Sequence, residues 1–208
     1  GSSTPVAPRS VIILFIALLF GLATPFGIIY LMEILDTTIR GRKDIEDKLS
    51  IPFLGDIPEY HGSTRQGSVV VRDNGRDSVS EAFRLIRSNL GFMSVKSGKL
   101  QIIMVTSSNP HAGKTFVTTN LAMTLALADK KVVIVDLDLR RRTLSKQMGQ
   151  RDNRNGVSGY ISGTIANLND IVFQSGLHEN LDIIFAGLQP PNPAEMLLSE
   201  KFDEFMAD

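Results

Sequence analysis

Gln101-Ile-Ile-Met-Val-Thr106, then Ser107-Ser-Asn-Pro-His-Ala-Gly-Lys-Thr115, then a helical pattern from Phe116 to Ala128 is the succession on which the fold turns. It reads as a strand, a phosphate-binding loop and a helix. Such a loop curls round an anion with its backbone N–H groups pointing inward, and the helix behind it adds the positive end of its dipole. Lys114 then reaches the β- and γ-phosphates of a nucleotide, and the Thr115 hydroxyl sits on Mg²⁺. Ser108 stands where G-x-x-x-x-G-K-[ST] asks for its first Gly, while Gly113, Lys114 and Thr115 keep their places. The strand-to-helix junction separates this loop from a chance Gly-Lys-Thr. The residues expected around ATP are therefore Ser108, Asn109, Pro110, His111, Ala112, Gly113, Lys114, Thr115 and Phe116. His111 reads as a loop filler, since nothing nearby in the sequence would orient it as a base.

Lys131-Val-Val-Ile-Val-Asp-Leu-Asp-Leu-Arg140 follows the helix as a second buried-strand run, so the two strands are expected to lie parallel in one sheet with a helical crossover. Its carboxyl end, where α/β sheets bind ligands, carries Asp136, Asp138 and Arg140. Alternation along a strand would put both aspartates on one side, facing the same Mg²⁺-phosphate. The competing reading makes them a turn or a helix cap.

The amino-terminal part has a different character. Ser10 to Met32 holds no charged side chain, and at 1.5 Å per residue it forms roughly 35 Å of helix, enough to cross a bilayer with some tilt. The run is longer than a signal-peptide core and lacks a small-x-small cleavage site, so it reads as a transmembrane helix. Thr24-Pro25-Phe-Gly27 predicts a kink, with the carbonyl freed by proline met by Thr24 or a neighbouring helix. Arg40, Arg42, Lys43 and Lys48 follow the run, against Arg9 alone before it, which places residue 40 onward in the cytoplasm. The expected divisions are a periplasmic flank at 1–9, a transmembrane helix at 10–35, a juxtamembrane linker at 36–76 and a nucleotide domain at 77–208.

Between membrane and loop, Asp44–Ser50 reads as a short helix, Pro52–Pro58 as an extended element, Tyr60–Gly67 as a polar linker and Val69–Val71 as an edge strand. A helix from Ser78 to about Val95 carries Glu81, Arg84 and Arg87 at three-residue spacing, with Phe83, Leu85, Ile86 and Leu90 as apolar contacts. Spacing alone leaves open a solvated charged face or a contact surface. Beyond Arg140 the pattern gives helices near Val157–Ser162 and Asn167–Phe173, a strand at Leu181–Phe185 and a helix from Ala194. Twenty-two basic against 22 acidic residues give no net charge, so no basic surface supports a nucleic-acid partner. The absence of cysteine removes disulfide and thiol chemistry.

The phosphate loop followed by the hydrophobic-Asp-x-Asp-x-Arg strand resembles the deviant phosphate-loop ATPases of the septum-site and chromosome-partition kind. Within that group the chain most resembles the bacterial tyrosine autokinases of capsule and exopolysaccharide export, the BY-kinases. Ser80-Glu81-Ala-Phe-Arg84-Leu-Ile-Arg87 is similar to that family's Glu-x-x-Arg-x-x-Arg helix, and Pro190-Pro-Asn-Pro-Ala-Glu-Met-Leu197 to a loop-helix segment late in its kinase domain. Thr4-Pro5-Val-Ala-Pro8 resembles the stretch preceding the second membrane helix of a polysaccharide co-polymerase.

The resemblance implies a P-loop NTPase-like α/β fold, a parallel sheet with flanking helices, preceded by one transmembrane helix. It implies an ATP- and Mg²⁺-dependent protein-tyrosine autokinase with Lys114, Asp136 and Asp138 catalytic, and with Thr115, Asp136 and Asp138 around the metal. Glu81, Arg84 and Arg87 would close a ring-like homo-oligomer at the bacterial inner membrane, with the P-loop domain in the cytoplasm. Polysaccharide polymerase and export machinery and a tyrosine phosphatase are the implied partners. Two alternatives stand beside it: a non-catalytic chain-length regulator with ATP-dependent assembly, and a partition-type switch ATPase. The superfamily's Walker B strand, closing in Asp, is expected beyond the last helix, and the only tyrosines are Tyr30, Tyr60 and Tyr160, with no tyrosine-rich tail. The chain is therefore expected to be a fragment of a longer kinase.

Overall fold

The computed structural model describes residues 10–36, 38, 41–46, 49–62, 69–97, 101–149 and 155–207. Thr4–Pro8, Arg9, Arg40, Lys48 and residues 63–67 of the expected linker lie outside the described residues. The chain divides into two compact units, 1–53 and 54–208.

In the first unit, α1 (Ser10–Leu35) is a single helix, and its Val11–Leu35 stretch is long and apolar enough to cross a membrane. It is apolar all round and exposed on every side, which suits lipid rather than a half-buried stripe. The Thr24 hydroxyl donates to the Phe20 carbonyl at 2.7 Å. The carbonyl that Pro25 releases is that of Gly21, four residues before it, so Thr24 reinforces the neighbouring turn instead of closing the gap. The expected helix at 44–50 starts earlier, as α2 (Arg42–Glu46), where Arg42 Nε meets Glu46 Oε1 at 2.7 Å and the guanidinium lies 5.7 Å from the Phe53 ring centre.

The second unit contains α3 (Ser78–Ser97), α4 (Lys114–Ala126), β1 (Val132–Val135), α5 (Thr143–Gln147), α6 (Val157–Ile161), β2 (Val172–Gln174), β3 (Leu181–Ile184), α7 (Pro193–Met196) and α8 (Glu200–Ala207). Asp77 starts α3 by accepting from the Ser80 amide at 2.9 Å and the Ser80 hydroxyl at 2.7 Å. Burial works against the ionised form, but these bonds and backbone amides hold the Asp77 carboxyl below its ordinary pKa. The sheet order is β1-β3-β2, with β1 parallel to β3 in a register that runs from Val132↔Leu181 to Val135↔Ile184. Leu181 and Ile183 face a core with Phe83, Leu121, Ala126 and Ile134 from α3, α4 and β1. Ile184 turns to the opposite face, among Leu139, Val157, Tyr160, Ile171 and Phe205. Covered on both faces, β3 is the central strand, and Asp182, opposite Val133, is its one polar residue.

Four expectations change. The run Gln101–Thr106 is not a strand and does not pair with β1; Ile102 is 62% exposed and Met104 82%. A strand exists only through ladder partners, and β3 already has β1 on one side and β2 on the other. The segment 69–71 is no edge strand either: the amides of Val70 and Val71 donate to the Asn120 side chain, at 2.8 and 3.1 Å. The expected helix at 167–173 is a 3₁₀ turn (Leu168–Ile171) followed by β2, whose Val172 and Phe173 pair antiparallel with Ile184 and Ile183 and make the sheet mixed. The helix expected from Ala194 is interrupted, because Ser199 begins a new one: its carbonyl accepts from the Phe202 amide at 2.9 Å and its hydroxyl from the same amide at 3.3 Å.

Candidate nucleotide site

The phosphate loop enters α4 through Gly113, at φ +87°, a left-handed conformation that a side chain would strain. The first helical hydrogen bond, Val117 N to Gly113 O at 2.9 Å, follows at once. Lys114 folds back over the loop, where its Nζ donates to Ser107 Oγ at 2.9 Å and Ser107 Oγ donates in turn to the Asn109 carbonyl at 2.7 Å. The ammonium is thereby held at the loop in advance of any phosphate. Ser107 lies one residue outside the expected binding stretch; only its position at the end of the apolar run could have signalled it.

Beneath the loop, α4 buries polar side chains, and each finds a carbonyl of its own helix. Thr119 Oγ1 donates to Thr115 O at 2.8 Å, Asn120 Nδ2 to Phe116 O at 2.8 Å, and Thr124 Oγ1 to Asn120 O at 2.7 Å. The Phe116 ring packs on Phe83 of α3 with centroids 6.0 Å apart.

Asp136 extends the β1–β3 ladder by one residue, its amide donating to the Ile184 carbonyl at 2.9 Å. Its Oδ1 accepts from the Asp138 amide at 3.1 Å, whereas Oδ2 is buried without a partner. Burial above all, then the charge of Asp138, pushes the carboxyl up to about 6; the Asp138 amide and the neighbouring Ser145 temper the shift. Ser145 lies beside the carboxylate without a formed hydrogen bond, since its Oγ is also unpartnered. Asp138 stands beyond the strand, which ends at Val135, so strand alternation does not pair the two aspartates. Its Oδ1 instead accepts from the Arg141 amide at 3.0 Å and its carbonyl from the Arg142 amide at 2.9 Å. Asp138 thus lies in a turn that its own carboxylate braces, and an unpartnered carboxylate oxygen remains at Asp136.

Arg141 joins the two halves of the site. Its Nη1 lies 2.9 Å from His111 Nε2, and because a guanidinium can only donate, the imidazole accepts. His111, at φ +62°, thus links the phosphate loop to the turn after β1, a contact that no sequence spacing signals. Thr115 and the two aspartates offer hard oxygen donors, the kind Mg²⁺ takes together with phosphates and water. Among the described residues no cluster of three or more His, Cys, Asp or Glu could hold a metal unaided.

The charged stripe of α3 points partly inward. Arg84 bonds Glu81 Oε1 at 2.5 Å and donates to the Gly75 carbonyl at 2.7 Å, while Arg87 donates to the Thr124 carbonyl at 2.9 Å. Glu81 stays 62% exposed against 29% for Arg84. Of the tyrosines, Tyr160 is buried with its ring 5.8 Å from Phe205, and Tyr60 is half-buried against the α3–α4 core.

Residues 103–201 match the CobQ/CobB/MinD/ParA nucleotide binding domain, CbiA. The tyrosine-protein kinase Etk of Escherichia coli K12 is 36% identical over 134 residues, which are 64% of this chain and 18% of the relative. The tyrosine-protein kinase Ptk of Acinetobacter johnsonii is 27% identical over 224 residues, covering 98% of this chain and 30% of the relative. A sequence of the Klebsiella pneumoniae cps region that carries a tyrosine-protein kinase name is 29% identical, with 97% and 29% covered. The chain thus spans less than a third of these relatives' lengths. Among solved structures, the kinase domain of E. coli ETK superposes with a TM-score of 0.71 at 28% identity, over 82% of this chain and 68% of that one. The chimerical protein CapA2B2 gives 0.68 at 30% identity, over 80% and 69%.

Proposed function

Because this chain belongs to the bacterial tyrosine-kinase family, we propose that it is the nucleotide-binding part of a protein-tyrosine kinase that moves the γ-phosphoryl of ATP onto tyrosine and regulates capsule or exopolysaccharide polymerisation and export. The observation that carries the reading is a Lys114 ammonium held at the loop by Ser107, together with the Arg141–His111 contact that joins this loop to the turn after β1, where Asp136 Oδ2 is buried without a partner.

The β- and γ-phosphates of ATP lie in the 108–116 loop, where Lys114 exchanges Ser107 Oγ for phosphate oxygen and the α4 amides point at the anion. Thr115 and Asp136, with Asp138 nearby, would hold Mg²⁺, and the chemistry such a metal supplies is neutralisation of charge on the phosphates. The acceptor tyrosine Oη attacks the γ-phosphorus in line, the bond to the bridging oxygen breaks, and the phenolic proton passes to the Asp138 carboxylate. Phosphoryl transfer needs little more than positioning and charge neutralisation, so this set of groups is sufficient in kind.

The apolar helix α1 anchors the chain in the bacterial inner membrane, with residue 40 onward in the cytoplasm. Glu81, the exposed member of the α3 stripe, reaches the neighbouring subunit of a ring, while Arg84 and Arg87 hold α3 in place for that contact. The partners are further copies of the chain, the polysaccharide polymerase and export machinery, and an opposing tyrosine phosphatase.

Incubating the full-length kinase with Mg²⁺-ATP and blotting for phosphotyrosine tests the proposal. A signal that Lys114→Met abolishes is expected; none from the full-length protein, or one indifferent to Lys114→Met, would overturn it.

A further inference from the structure

We propose that Asn120 is a positioning residue that couples the segment 69–71 to the phosphate loop, so that the conformation of this stretch and nucleotide binding control each other. The proposal rests on the nucleotide reading above and adds a route of regulation to it.

Asn120 is fully buried inside α4, where asparagine is a poor helix former and an unpaired amide would be costly. Its two ends face in different directions. Oδ1 accepts from the Val70 and Val71 amides at 2.8 and 3.1 Å, about fifty residues earlier in the chain. Nδ2 donates to the Phe116 carbonyl at 2.8 Å, in the first turn of α4 and two residues after Lys114. Val70 and Val71 belong to no ladder, so the Asn120 oxygen takes the place a neighbouring strand would fill. The bonds are dry and share one side chain, and in such surroundings each strengthens the others.

Displacing 69–71 withdraws two donors from Oδ1 and weakens the hold on the carboxamide, and with it the Nδ2 bond to Phe116 O. The turn that loosens is the one whose amides would face the phosphates. The segment lies in sequence between the apolar helix and the loop, so a change on the amino-terminal side of the chain reaches the loop through it. Coupling of this kind is reciprocal: a nucleotide that fixes the first turn must also fix 69–71. A merely structural Asn120 would hold the two elements together without linking their response to ligand.

Amide hydrogen exchange on the full chain in detergent, with and without saturating Mg²⁺-ADP, distinguishes the two. Global stabilisation by ligand slows every globally exchanging amide alike, so Val157, bonded to the Phe185 carbonyl, serves as reference. Val70 and Val71, which open locally and so exchange faster than Val157 without nucleotide, should slow by at least about fivefold, the lower end of ordinary coupling, whereas an uncoupled local opening leaves their rates unchanged. Asn120→Ala removes the acceptor and the donor together, so nucleotide should then slow Val70 and Val71 by less than about twofold while Val157 still slows. Val70 and Val71 rates that nucleotide leaves unchanged, or that already match Val157 without it, would overturn the coupling even if the variant does not fold, as would slowing that survives undiminished in Asn120→Ala. Absence of Mg²⁺-ADP binding by calorimetry would instead overturn the nucleotide reading, and this inference with it.

Discussion

Replacing Asp136 by Asn should make the chain more stable in the absence of nucleotide, and the size of the gain follows from the carboxyl's surroundings. Burial raises its pKa from 3.8 to about 6, so the folded protein binds a proton that the unfolded chain releases. Between those values stability falls as pH rises, and above about 6 the cost of the buried charge is fully present. A shift of about two units corresponds to about 3 kcal/mol. Asp136→Asn keeps an oxygen for the Asp138 amide and removes the charge, so in Mg²⁺-free buffer at pH 7.5 its urea midpoint should exceed wild type by the equivalent of about 3 kcal/mol. At pH 4, where the folded wild-type carboxyl is protonated, the difference should nearly vanish. Circular dichroism on the full chain in detergent reads both conditions. A variant no more stable than wild type at pH 7.5, or a gain that persists unchanged at pH 4, would refute the argument.

Asp138→Asn should weaken nucleotide binding more with Mg²⁺ than without it if the carboxylate faces the metal; an unchanged Mg²⁺ dependence with lower thermal stability would leave Asp138 a turn residue only. Arg87→Ala strands the Thr124 carbonyl and should cost about 1–3 kcal/mol of stability by urea titration. Glu81→Gln, at an exposed position, should cost under about 1 kcal/mol of stability yet shrink the full-length assembly by light scattering. Phe83→Ala empties a fully buried site against Phe116 and should cost about 3–5 kcal/mol; a loss under about 1 kcal/mol would contradict that packing.

Features decided by neighbours along the chain were legible in the sequence. The uncharged run 10–32 specifies a helix of nearly the observed length, and Gly113-Lys-Thr marks the start of α4 because the glycine supplies the left-handed residue the loop needs. Val132–Val135 forms a strand within the expected run, since four β-branched residues suit one, although only Ile134 is fully buried. What depends on distant partners was not legible. Gln101–Thr106 has the composition of a strand, but composition does not name a partner, and β1 pairs with β3. Arg84 and Arg87 match a contact motif, yet both reach carbonyls within the fold, because a long side chain's target cannot be read from its spacing. Asn120 gave no signal at all: in a helical pattern it is one more polar residue, and only the return of 69–71 to α4 gives its amide a purpose.

The central claim is that the loop ending at Lys114 binds the phosphates of a nucleotide. Isothermal titration of Mg²⁺-ADP into the full chain and into Lys114→Met tests it most directly, because methionine keeps the length of the side chain and removes the cation that Ser107 holds at the loop. The affinity of Lys114→Met should fall by at least about tenfold, ~1.4 kcal/mol. Equal affinity of the two proteins would contradict the claim.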